Sequence, residues 1–212
     1  MKYEQQQGHG SLEATGVGSI EVAPDVAEVR LSVITEAPTA TEAARTNAER
    51  LREVLDAVEA LPHQRVSTVG LALQPIHRFD PASGASSITG YRAENTIKVE
   101  AAIDEAGRIF DAGIAAGANT SSGIGFRLQD DRPYREEAIY LAYQQAHADA
   151  SAVASAADVL LLGPEELAVE PESPGPRPRF ELARSADVPT PVLPGLLTVT
   201  ATVRVRFALQ GQ

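Results

Sequence analysis

The residues able to do chemistry in this chain are scattered, and their spacing decides against most reactions. His9, His63, His77 and His147 are the only histidines, and no two stand four apart, the spacing that turns two imidazoles onto one helix face as metal ligands. Each reads as a surface side chain. With 0 Cys there is no zinc ribbon, iron–sulfur cluster, disulfide framework or thiol nucleophile. A G-x-S-x-G elbow and an S-x-x-K motif are both missing, and Ser121-Ser122-Gly123 reads as a turn into a strand. The pairs Gly16-Val17-Gly18 and Gly123-Ile124-Gly125 lie in strand-like stretches, with no helix N-terminus behind them to hold a phosphate. Asp130-Asp131, Glu136-Glu137 and Glu165-Glu166 are side-by-side carboxylates, which do not share a helix face. Helix capping suits them better than acid–base work. Arg204 and Arg206 fall on the wet face of a terminal strand, where pairing with Glu28 or Glu94 is favoured over binding an anion.

Charge and composition narrow the field further. The 212 residues hold 18 basic and 29 acidic side chains, a formal net charge of −11. That balance disfavours nucleic acid and anionic lipid as partners, since both demand a basic surface. No window approaches the ~20 apolar residues of a membrane span. The first ten residues, Met1-Lys2-Tyr3-Glu4-Gln5-Gln6-Gln7-Gly8-His9-Gly10, contain no apolar signal core. A cytoplasmic protein is expected as written, with a periplasmic or secreted one as the alternative if a leader has been removed. No metal or cofactor is expected.

The elements that must position these residues follow from periodicity. Ile20 and Val22, a turn at Ala23-Pro24-Asp25, then Ala27, Val29, Leu31 and Val33 predict a β-hairpin. Thr39 and Glu42 are spaced as a capping box before a helix whose stripe runs Ala44, Ala48, Leu51, Val54, Leu55, Val58, Leu61. Strands are predicted from about 66 to 76, from 91 to 103 with Asn95 as a polar exception, and from 123 to 129. Asp104 is placed as the cap of a short intervening helix. Asp131 and Pro133 open the longest helix, to about Ala157. In it Ala138, Ala142, Ala146, Ala150 and Ala154 recur every four residues, a methyl row that favours close packing on a neighbour. Residues 171–194 hold half of the 14 prolines and form an expected extended crossover. After it, Leu197, Val199, Ala201, Val203, Val205, Phe207 and Leu209 alternate with polar residues, a strand expected beside the N-terminal hairpin.

The stretch Gly16-Val17-Gly18-Ser19-Ile20-Glu21-Val22-Ala23-Pro24-Asp25-Val26-Ala27 resembles the start of the SIMPL-domain family, which includes bacterial periplasmic immunogenic proteins. The resemblance continues through Gly90-Tyr91-Arg92, through Asp111 to Gly117 and Asn119, through the Glu137-Ala138 helix, and through Thr190 to Pro194-Gly195. It implies structural roles for Gly16, Gly18, Pro24, Asp25, Gly90, Tyr91, Arg92, Gly117, Asn119, Pro194 and Gly195, and no catalytic residue or cofactor.

The expected fold is α+β, a SIMPL-domain fold of antiparallel sheets packed against helices. Two intertwined units are expected, a discontinuous outer one of residues 11–88 plus 165–212 and an inserted β-α-β-α one of residues 89–164. The resemblance makes the inserted one ferredoxin-like. Residues 1–10 are expected to be a flexible N-terminus and 171–195 a proline-rich crossover. The expected function is non-enzymatic, by self-assembly as a homo-oligomer or by contact with a protein partner, and the resemblance adds a link to stress. The alternative is a small-ligand-binding protein or enzyme with a pocket between the units.

Overall fold

The computed structural model describes residues 10–81, 84–170 and 190–211. In chain order the elements are β1 (Gly10–Val22), β2 (Val26–Ala37), α1 (Ala40–Glu59), β3 (Arg65–Asp80), β4 (Ala85–Ala101), a 3-10 turn (Ile103–Glu105), α2 (Ala106–Ala115), β5 (Thr120–Arg127), α3 (Arg132–Ala156), β6 (Val159–Val169) and β7 (Leu197–Gly211). The fold is α+β, with two antiparallel sheets in the orders β1-β7-β6 and β3-β4-β2-β5.

β1 and β2 are not a hairpin. The first pairs with β7 and the second with β4 and β5, so the Pro24-Asp25 turn hands the chain from one sheet to the other. Asp25 holds that turn: its backbone N–H donates to the Arg127 carbonyl, and its side chain accepts from the Gln129 N–H at 2.7 Å. The terminal strand does lie beside β1, from Gly10↔Leu209 to Val22↔Leu197. β6 is a strand that periodicity does not announce, because Gly163, Pro164 and two glutamates interrupt it. It tolerates them as an edge strand, with register shifts on both sides of Pro164.

Contacts divide the chain into two units. One holds β1, α3, β6 and β7; the other holds β2 to β5 with α1 and α2, together with the described residues 190–195. This differs from the expected boundary at 88/89. β4 pairs with both β2 and β3, so a cut there would divide a hydrogen-bonded sheet. Residues 1–9 and 171–189, and with them most of the expected N-terminal tail and crossover, lie outside the described residues.

In the second unit the core gathers Val29, Leu31 and Val33 of β2, Ile97 and Val99 of β4, Leu51, Val54 and Val58 of α1, and Ile109 of α2. Thr39 caps α1 by accepting from the Glu42 N–H at 3.3 Å. The buried stripe of α1 begins at Ala43 and Asn47, not at Ala44 and Ala48, which are exposed. Asn47 is buried because its amide donates to the carbonyls of Val33 (2.7 Å) and Ala93 (3.0 Å). Hydrophobic spacing cannot see such a residue. α2 follows a 3-10 turn and makes no side-chain cap bond, so Asp104 is not its cap.

Candidate functional site

Strand alternation sends core residues to one face of each sheet and polar residues to the other. In the four-stranded sheet Glu28, Arg30, Lys98, Glu100 and Arg127 therefore meet on the face opposite the core. Lys98 Nζ lies 2.7 Å from Glu100 and 3.0 Å from Glu28, and Arg127 reaches Glu100 at 2.6 Å and Glu28 at 3.5 Å. Arg30 adds a contact to Glu28 at 3.1 Å. Glu100 is buried, at 7% exposure. Its hydrogen bond from Lys98, followed by the one from Arg127, holds the carboxyl below its usual value against the cost of burial. The same bonds to Glu100 and then Glu28 raise Lys98. A lysine so held stays protonated, which suits an ion pair and not a nucleophile.

The three-stranded sheet carries a second cluster on its polar face. A shallow groove of about 130 Å³ is lined by Glu13, Glu166, Ala168, Arg204 and Arg206. Arg204 contacts Glu170 at 2.7 Å and Glu13 at 3.4 Å, while Arg206 contacts Glu166 at 3.0 Å. The partners are therefore on β1, on β6 and at its end, not Glu28 or Glu94, since β7 belongs to the other sheet. Three carboxylates, Glu13, Glu166 and Glu170, face two guanidiniums, so these side chains leave no excess positive charge to hold an anion. Among the described residues no group of three or more His, Asp or Glu is placed to hold a metal ion. Asp130, exposed, is drawn down to about 2 by hydrogen bonds from the side chain and backbone of Arg132. Asp131 precedes α3 without a capping bond.

The motif residues sit at joints of the fold. Gly16 and Gly18 let β1 press against the α3 backbone: a Cβ at either would collide with the Ala142 or Ala138 carbonyl and come within 2.7 Å of the Ala146 or Ala142 nitrogen. The facing row, Ala138, Ala142, Ala146, Ala150 and Ala154, is buried, and Val203, Val205 and Phe207 of β7 complete that core. Gln145 of α3 accepts from the Val17 N–H at 2.9 Å, which satisfies a donor on β1. Gly90 approaches the Ala37 carbonyl, where an added Cβ would sit at 3.1 Å. Tyr91 pairs in register with Ala37 and Pro75, and Arg92 bridges to Glu36 at 2.7 Å. Gly117 takes φ +113 after α2, a left-handed value that favours glycine. Asn119 accepts from the Ile34 N–H at 2.8 Å and donates to the Ile34 carbonyl at 2.7 Å. Pro194 and Gly195 lie in the irregular segment before β7; upstream of them, Thr190 is tied by its N–H and hydroxyl to Asp111 of α2 at 2.9 and 2.6 Å. Spacing gave no signal for the Lys98–Glu100 cluster or for Asn47. Asn95, the polar exception on β4, keeps a buried Oδ1 with no hydrogen-bond partner among the described residues.

A family model, SIMPL, described as a protein of unknown function (DUF541), matches residues 12–207. The chain belongs to the SIMPL family. Two SIMPL relatives, the 26 kDa periplasmic immunogenic proteins of Brucella melitensis and Brucella abortus, are each 30% identical over 94% of this chain and 84% of their own length. The uncharacterized protein YggE of Escherichia coli is 26% identical over 60% of this chain and 52% of its own. In this SIMPL chain no helix among the described residues is long and apolar enough to cross a membrane.

Proposed function

We propose that this is a non-enzymatic SIMPL-domain protein that works by self-assembly or protein–protein contact in the bacterial periplasm. The observation that carries the reading is where exposed apolar side chains collect. Val69, Leu71 and Leu73 on β3, and Leu160, Leu167 and Val169 on β6, are between 47% and 77% exposed. Both strands are sheet edges, which offer unpaired backbone groups as a template for another chain. The pairing of acids with bases in both polar clusters supports a structural role for those side chains. The motif glycines and Asn119 are assigned the same kind of role, as joints. The Brucella relatives are named as periplasmic, which favours that compartment over the cytoplasm for this chain. A part in stress tolerance comes with the family resemblance. Light scattering and native mass spectrometry of the full chain test the central statement. Mass that grows with concentration is expected, and a strict monomer at every concentration overturns self-assembly. Fractionation of the native cell tests the compartment.

A further inference from the structure

We infer that β3 is the self-association strand: residues 70–74 pair antiparallel with the same residues of a second copy, about a two-fold axis through Ala72. This rests on the self-assembly reading and adds to it a surface and a register. Between the shifts at Thr68/Gly70 and Ile76/His77, the β3–β4 ladder runs unbroken. Over that run, alternate residues turn their N–H and C=O groups to the free edge. Pro75 fixes which ones. Proline is tolerated in a sheet where its missing N–H faces away from the paired strand, so residues 71, 73 and 75 point their backbone groups outward.

Those outward groups belong to exposed apolar residues, Leu71 at 77% and Leu73 at 49%. An axis through Ala72 sets Leu71 against Leu73 of the partner and Leu73 against Leu71. Each pair can then exchange two backbone hydrogen bonds, and the four leucines cluster on one face. An axis at 73 would set Leu71 against Pro75, which has no donor to give. An axis at 71 would set Leu73 against Val69, which lies in the bulge.

The area agrees with a second copy held reversibly. Full burial of a Val or Leu side chain removes roughly 60–120 Å² of apolar surface. Val69, Leu71 and Leu73 from both copies, with the strand backbone, stay under the ~1,200 Å² of a stable standard interface. A dimer that separates on dilution is what this surface supports.

The chain has 0 Cys, so Ala72→Cys supplies a single thiol on the axis. There, two facing residues form a non-hydrogen-bonded pair with Cα atoms about 4.5 Å apart, within disulfide reach. Ser87→Cys, exposed in the same hairpin, is the control. Under mild oxidation the Ala72→Cys chain should form covalent dimers at least tenfold faster than the control. The double variant Leu71→Lys with Leu73→Lys should melt like wild type and lose concentration-dependent association. If the chain associates but Ala72→Cys links no faster than Ser87→Cys, the β3 register is wrong while self-assembly stands. Association that survives the lysine pair likewise overturns the β3 surface and leaves self-assembly standing. A chain that is monomeric throughout overturns both.

Discussion

Asn119 uses its side chain to imitate a strand residue. The ladder between β2 and β5 ends at Ser32↔Thr120, and the Asn119 amide then both donates to and accepts from Ile34 as one further rung. Asn119→Asp keeps the shape but turns the donor into an acceptor facing a carbonyl. It should cost about 2 kcal/mol, measured by urea unfolding. Glu100 sets a dependence on pH. Its carboxyl is held below the usual 4.5 in the folded chain, so the unfolded chain binds the proton more readily. The stability from this group is present above that value and is lost as pH falls through the depressed one. Lys98 works in the opposite sense: its contribution is complete below 10.5 and disappears as pH rises through its raised value. Glu100→Gln should therefore lower the melting temperature at neutral pH, and the gap to wild type should shrink as pH falls below 4.5 and through the depressed value.

At Gly16 and Gly18 the β1 backbone presses directly onto the backbone of α3. The helical half of this contact can be read directly from the alanines at every fourth position, while its strand half is hidden, because two glycines in a strand do not say what approaches them. Replacing Ala146 or Ala150 with Leu should overpack this contact and cost about 1–3 kcal/mol. A variant that melts like wild type would mean the helix can lift away. α1 shows why periodicity misplaces a face: Asn47 is buried for two backbone carbonyls and scores as polar. β6 shows the converse, since an edge strand can carry Pro164 and stay in the sheet. Strands and helices with unbroken alternation, such as β7 and α3, are legible from sequence within a residue or two. The pairing of β1 with β7, and not with its neighbour β2, depends on contacts nearly two hundred residues apart, which no local pattern encodes.

At the scale of the whole molecule, β7 is the central strand of its sheet and also the last of the described elements. Deleting residues from Leu196 onward would leave β1 and β6 with nothing between them. The truncated chain should lose the cooperative melt of the β1-β7-β6 unit, followed by calorimetry, while the four-stranded unit keeps β2 to β5. A single unchanged transition would refute the discontinuous organisation. The same arrangement sets a timetable for synthesis. A ribosome that has released residues up to 129 has delivered every strand of the four-stranded sheet. β1, made before any of them, waits for the fifteen-residue β7 before it has a strand partner. While every element from β2 to β6 is being made, β1 therefore stays open to wrong strand partners, and whatever shields the nascent chain must act on it throughout that interval.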